Sequence, residues 1–112
     1  MSGITTHVLD TSTGRPATGV PVTLEKQADS GWQSAGHGVT NQDGRITNLL
    51  GSSKLTAGTY RLTFDTAAYF GARKQPSFYP QVLVTFTVGD AGQHYHVPLL
   101  LSPFGYSTYR GS

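Results

Sequence analysis

The stretch His94-Tyr95-His96-Val97-Pro98-Leu99-Leu100-Leu101-Ser102-Pro103 decides the class of fold. Tyr95, Val97, Leu99 and Leu101 recur at every second residue, and His94, His96, Pro98 and Leu100 fill the alternate positions. Successive side chains of a strand point to opposite faces, so the stretch reads as a strand with one apolar side for a core and two imidazoles on the other. The same period of two runs through Val82, Val84, Phe86 and Val88, through Tyr60, Leu62 and Phe64, and through Val20, Val22 and Leu24, where Pro21 marks an edge or a strand start. Fainter alternation marks Ile4 to Leu9, Trp32 to Thr40, Ile46 to Leu49 and Tyr106 to Arg110. About eight strands follow, spaced as in an all-β sandwich or barrel.

Between the strands, Thr13-Gly14-Arg15-Pro16, Asp29-Ser30-Gly31, Asn41-Gln42-Asp43-Gly44 and Asp90-Ala91-Gly92 favour turns, because Gly, Asn and Asp accept positive φ. One short helix is expected over Thr66 to Arg73, capped by Asp65, rich in alanine and closed off by Pro76. A chain of 112 residues with no internal repeat, linker or low-complexity tract forms a single domain, residues 1–112. Its core is modest, about 60–70% of the unfolded surface, so added stability from oligomerisation would be natural.

Composition removes several classes of function. With no cysteine there is neither a thiolate nucleophile nor a cysteine-held zinc or iron–sulfur site. The 8 Lys and Arg residues stand against 6 Asp and Glu, and they are scattered rather than gathered into a stripe, so no nucleic-acid partner is expected. Apolar runs such as Pro98 to Leu101 fall far short of the ~18 residues that suggest a membrane span. The opening Met1-Ser2-Gly3-Ile4-Thr5-Thr6-His7 has no basic and apolar leader pattern, and a cytoplasmic protein is the expectation. Phosphate-binding loops, G-x-S-x-G elbows, H-E-x-x-H helices and EF-hand loops are all missing, so cofactor chemistry is not expected.

The polar residues that remain are few. His94 and His96 share a strand face suited to proton transfer near neutral pH, or are simply a solvent-facing pair. A catalytic zinc would need a third ligand, for which only His7 or an aspartate is available, at no recognised spacing; no metal is expected. His7 alternates with Leu9 on a strand face. His37, between Gly36 and Gly38, reads as a bulge or edge residue. Arg45, delivered by the Asp43-Gly44 turn, is either a solvated charge or a fork of donors for an oxygen-rich ligand or an oxyanion. The closing Tyr109-Arg110-Gly111-Ser112 is either a frayed tail or an anchor.

Whole phrases of the chain resemble the transthyretin-related 5-hydroxyisourate hydrolases. They are Thr6-His7-Val8-Leu9-Asp10 with Gly14-Arg15-Pro16-Ala17, Val22-Thr23-Leu24-Glu25, Asn41-Gln42-Asp43-Gly44-Arg45, Ser77-Phe78-Tyr79-Pro80, the His94 to Pro103 stretch, and Tyr106-Ser107-Thr108-Tyr109-Arg110-Gly111-Ser112. The terminal Tyr-Arg-Gly-Ser is the most specific of these, and the resemblance spans nearly the whole length without departure at these positions. It implies a transthyretin-like two-sheet β-sandwich of about eight strands with one short helix. It also implies a homotetramer, a dimer of dimers, whose channel ends hold sites lined by more than one subunit. The implied reaction is hydrolytic ring opening of 5-hydroxyisourate, a product of urate oxidation, to 2-oxo-4-hydroxy-4-carboxy-5-ureidoimidazoline, with neither metal nor organic cofactor. His7 and His96 would be the acid/base pair and Arg45 the ring-orienting and oxyanion-binding group. Tyr109 would close the pocket on the substrate, and Ser112, through its hydroxyl or terminal carboxylate, would orient an imidazole. A transthyretin-like small-ligand carrier without catalysis is the competing reading, since one fold can hold either function. A structural or adhesive sandwich module is a third.

Overall fold

The alternating stretch that opens at His94 forms the centre of one of two packed sheets. The computed structural model describes residues 3–112, so Met1 and Ser2, where the expected domain begins, lie outside the described residues. The elements in order are β1 (Gly3–Asp10), β2 (Arg15–Pro16), β3 (Pro21–Ala28), β4 (Gly31–Val39), β5 (Arg45–Ile46), β6 (Gly58–Phe64), α1 (Thr66–Ala72), β7 (Val82–Val88), β8 (His94–Ser102) and β9 (Gly105–Thr108). One sheet has the order β2-β1-β8-β9, with β5 also paired to β1, and the other the order β4-β3-β6-β7. Most neighbours are antiparallel, but β1 and β8 run parallel, from Gly3 opposite His94 to Asp10 opposite Leu101.

The faces fall where the period of two puts them. Ile4 and Val8 of β1 and Tyr95, Val97, Leu99 and Leu101 of β8 turn inward. There they meet Val22, Leu24, Tyr60, Leu62, Phe64, Val82, Val84 and Val88 of the second sheet. Each fully buried Leu, Val or Phe in this layer adds on the order of 1.5–3 kcal/mol. Polar groups that share the inner face are bonded: Thr6 Oγ1 donates to the Val97 carbonyl at 2.6 Å, and Asp10, fully buried, accepts from the Tyr69 hydroxyl at 2.7 Å. Tyr69 comes from α1, so this bond ties the helix to the end of β1.

Two details differ from the reading of the sequence, and one alternative it left open is resolved. Nine strands are present among the described residues rather than eight, because Arg15–Pro16 makes a two-residue pairing with Leu9 and Asp10 that is too short for periodicity to reveal. The strand expected over Ile46 to Leu49 is confined to Arg45–Ile46, since a turn closed by Gly51 N–H on the Asn48 carbonyl follows at once. Pro21 is a strand start and not an edge: β3 lies between β4 and β6, and Pro21 opens it. The helix forms with Asp65 accepting from Ala68 N–H at 3.0 Å, and it ends as Lys74 turns to φ +53°. No helix among the described residues is long and apolar enough to cross a membrane.

Candidate active site

The outer face of the β1–β8 sheet carries the polar residues. The parallel register sets Thr5 opposite His96 and His7 opposite Pro98, and the short antiparallel pairing of β5 sets Arg45 directly opposite His7. Residues directly opposite across a pair point the same way, with Cβ atoms about 4.5–5.5 Å apart. His7, Arg45, Thr5, His96 and His94 therefore share one surface, although His7 and His96 come from opposite ends of the chain.

Arg45 is delivered by the Asn41–Gly44 turn. The Asn41 side-chain oxygen accepts the backbone N–H groups of Asp43 and Arg45 at 2.9 and 3.0 Å, and Val8 N–H donates to the Gly44 carbonyl at 2.8 Å. Gly44 sits at φ +73°, and a Cβ there would lie 2.5 Å from the Val8 carbonyl oxygen, so glycine is required on both counts. The terminal segment is held as well. Gly111 N–H donates to the His96 carbonyl at 2.8 Å, the Arg110 guanidinium lies 4.6 Å from the centre of the Tyr95 ring, and its Nη2 donates to Gln93 Oε1 at 2.9 Å. The last residues are thus an anchored extension of the sheet, and they bring Ser112 to the same face.

The His96 ring is fixed from two directions. Its Nδ1 is 2.8 Å from the Thr5 hydroxyl, and a Cβ on Gly111 would stand only 2.5 Å from its Cδ2, so the bare Gly111 backbone lies against the ring. The same Thr5 hydroxyl is 2.9 Å from His94 Nε2. Thr5, Arg45, Thr47, His94, His96 and Ser112 border an open cavity of about 380 Å³, and His7 adjoins it through its pairing with Arg45. Tyr109 is elsewhere within the chain: it is 57% exposed and borders a separate cavity of about 210 Å³ with Val84, Phe86 and Tyr95. His37 is exposed on β4, opposite Thr23 in the other sheet.

Electrostatics set the His7 and His96 imidazoles toward the neutral form. Burial lowers the His7 pKa, and the neighbouring Arg45 guanidinium lowers it further, while the backbone and carboxylate of Asp43 act the other way. Burial likewise lowers the His96 pKa, followed by Arg45, His7 and His94. Such imidazoles keep a lone pair available at neutral pH, beside a guanidinium whose planar fork suits a carbonyl oxygen that gains charge. No group of three His, Asp or Glu side chains among the described residues is arranged to hold a metal ion.

Thr5 and Thr47 were not indicated by the sequence. Thr5 could have been found only by knowing that β1 pairs in parallel with β8, a contact between segments some 90 residues apart that local alternation does not encode.

Residues 4–111 match the HIUase/Transthyretin family. The 5-hydroxyisourate hydrolase of Mus musculus is 49% identical over 113 residues, covering 99% of this chain and 96% of that protein. Among solved structures, Klebsiella pneumoniae 5-hydroxyisourate hydrolase superposes with a TM-score of 0.86 at 40% identity, over 97% of this chain and 98% of that one. Sea bream transthyretin in complex with thyroxine superposes with a TM-score of 0.90 at 34% identity, over 96% and 93%. The two sheets and single helix are thus a transthyretin-like sandwich.

Proposed function

The chain belongs to the HIUase/transthyretin family, and we propose that it hydrolyses 5-hydroxyisourate, in urate catabolism, at the outer face of the β1–β8 sheet. The observation that carries this reading is the convergence of two neutral-leaning imidazoles and a guanidinium on one face of the sheet, where His96 and Arg45 border the cavity and His7 stands beside Arg45. Opening a cyclic acyl–nitrogen bond needs a water made nucleophilic, a donor for the carbonyl oxygen and a proton for the leaving nitrogen.

His96 is the general base, because its ring is held on both sides and its orientation is therefore set before substrate arrives. It takes a proton from water as the water oxygen bonds to the acyl carbon, and Arg45 faces the oxygen that becomes negative. When the carbon–nitrogen bond breaks, the imidazole pair returns that proton to the leaving nitrogen, and the site regains its starting charge. His7, beside Arg45, lies on the nitrogen side of the ring. Ser112, which borders the cavity, orients the pair through its hydroxyl.

The assembly we propose is a homotetramer, a dimer of dimers. Strand β7 supports it: it is a seven-residue sheet edge with no charge, proline or bulge, and Leu83 on it is 43% exposed, so it lacks the features that normally block pairing with another copy. In that assembly Tyr109 closes the site of a neighbouring subunit on the substrate. Sedimentation equilibrium tests it; a monomer at micromolar concentration counts against it.

To test the reaction, 5-hydroxyisourate is generated in place from urate with urate oxidase, and its ultraviolet signal is followed with wild-type protein and with His96→Asn. Accelerated decay that the variant loses supports the hydrolase. No acceleration over the spontaneous rate by correctly folded protein turns the reading to a ligand carrier, which the likeness to transthyretin alone favours.

A further inference from the structure

We propose that Thr5 and His94 are positioning residues that set the tautomer of His96, holding its proton on Nδ1 so that Nε2 presents a bare lone pair to the cavity. The inference rests on His96 acting as the base, and it identifies what keeps it one.

A threonine hydroxyl has one proton and two lone pairs. Thr5 Oγ1 lies within hydrogen-bond distance of two ring nitrogens, His94 Nε2 at 2.9 Å and His96 Nδ1 at 2.8 Å. One proton cannot serve two bare nitrogens, so at least one of them must carry its own hydrogen; if both did, the Thr5 hydroxyl hydrogen would be left without a protein acceptor, so one of them does and the two neutral rings have linked tautomers. In one arrangement His94 Nε2–H donates to Thr5, Thr5 donates to His96 Nδ1, and the His96 proton is on Nε2. In the other His96 Nδ1–H donates to Thr5, Thr5 donates to His94 Nε2, and the His94 proton is on Nδ1.

The surroundings favour the second. Besides Thr5, the charged and titratable groups that face His96 are Arg45 from β5, His7 from β1 and His94 from its own strand, with Ser112 on the terminal segment. A guanidinium beside the ring attracts a lone pair and repels an N–H, so the nitrogen left to the cavity is better bare. The displaced proton also finds a place: His94 is exposed, so an Nδ1–H can bond to water. In the second arrangement the Thr5 hydroxyl and the two ring nitrogens beside it are all paired, and only His96 Nε2 is left free for the cavity. A histidine's working nitrogen is commonly selected in this way, through the bond its other nitrogen makes.

The test reads tautomers directly, by long-range ¹⁵N–¹H correlation of histidine side chains at pH 7.5 in the wild type, Thr5→Val, Thr5→Ser and His94→Phe. The wild type is expected to show His96 protonated at Nδ1 and bare at Nε2. Thr5→Val removes the acceptor of that proton, and His94→Phe frees the Thr5 hydroxyl to donate to His96; both should move His96 toward Nε2–H. Both should lower kcat by about ten- to a hundredfold with KM within twofold, a share of what a general base supplies. Thr5→Ser should restore the wild-type spectrum and rate. A bare Nδ1 on His96 in the wild type overturns the inference, as does a Thr5→Val protein whose rate falls while its His96 tautomer is unchanged. The base assignment fails separately, if His96→Asn turns over at the wild-type rate.

Discussion

Replacing Gly111 by alanine adds one methyl group, and the consequence can be worked from the geometry of the His96 ring. The new Cβ would lie 2.5 Å from His96 Cδ2, 3.3 Å from its Cγ and 3.2 Å from Pro98 Cγ. Carbon atoms in contact settle at about 3.5 Å or more, so the shortfall at Cδ2 is about 1 Å. Gly111 is not at positive φ, so alanine meets no backbone penalty and the effect is confined to the collision. Either the ring moves by that amount or the terminal segment lifts and gives up the Gly111 N–H bond to the His96 carbonyl. In the first case a misplacement near 1 Å costs about 10²-fold in rate, which is ~2.7 kcal/mol of transition-state stabilisation. In the second, Ser112 leaves the cavity, and the fold loses about 1 kcal/mol for one hydrogen bond. Gly111→Ala should therefore lower kcat/KM for 5-hydroxyisourate by about 10²-fold, while the thermal midpoint falls by only a few degrees. The measurement is decay of the intermediate above its spontaneous rate, paired with a melting curve. A variant within threefold of wild type would refute the reasoning, since the ring could not then be held against the Gly111 backbone.

The acid limb of kcat/KM should lie below pH 6.5, because burial and then Arg45 depress both His7 and His96, and a pH–rate profile with its limb above 6.5 would contradict this. The same depression makes the unfolded chain take up protons first, so stability should be flat above pH ~6.5 and decline as pH falls toward the lowered folded values. Asp10→Ala removes the acceptor of Tyr69 O–H, Ser12 O–H and Ser12 N–H and should cost about 3 kcal/mol in urea unfolding; a loss under 1 kcal/mol would show that the buried network is dispensable. Burial works to raise the Asp10 pKa, but the hydrogen bonds from Ser12 and Tyr69 outweigh it and the carboxyl stays below its usual range, with Tyr69 pushed up to about 12. The Asp10 contribution should thus be present above pH ~4 and disappear as acid titrates the folded state. Gly44→Ala should lower both the melting temperature and the rate, since a side chain at φ +73° against the Val8 carbonyl displaces the turn that carries Arg45; unchanged kcat would separate Arg45 from that turn.

Much of this was legible in the sequence because a strand writes its faces in a period of two. Tyr95, Val97, Leu99 and Leu101 announced the inner face of β8, and Asp65 announced the helix start, from neighbours within a few residues. What alternation cannot encode is partnership between strands. That β1 lies parallel to β8 decides that Thr5 meets His96, and that β5 pairs with β1 decides that Arg45 faces His7. The family resemblance named His7, Arg45 and His96 together; the geometry adds Thr5 between the two imidazoles and Gly111 against one of them. It places Tyr109 away from them within one chain. Residues that act through small size or a shared hydroxyl leave little mark in composition.

The backbone alone does not choose between hydrolysis and carriage, since the chain superposes about as well on a thyroxine-bound transthyretin as on a hydrolase. Energetics do. A carrier of a largely apolar ligand gains most of its affinity from apolar area removed from water, and each imidazole or guanidinium placed in that path adds a desolvation cost that the ligand must offset with a bond of its own. The outer face of β1 and β8 sets His7, Arg45, Thr5, His94 and His96 on neighbouring positions, the opposite of an apolar lining. A small ring rich in carbonyl oxygens and N–H groups can offset that cost with one donor or acceptor for nearly every polar side chain it meets. The polar set that hinders a carrier is therefore what a hydrolase needs, and the distinction is carried by a few side chains on an unchanged sheet.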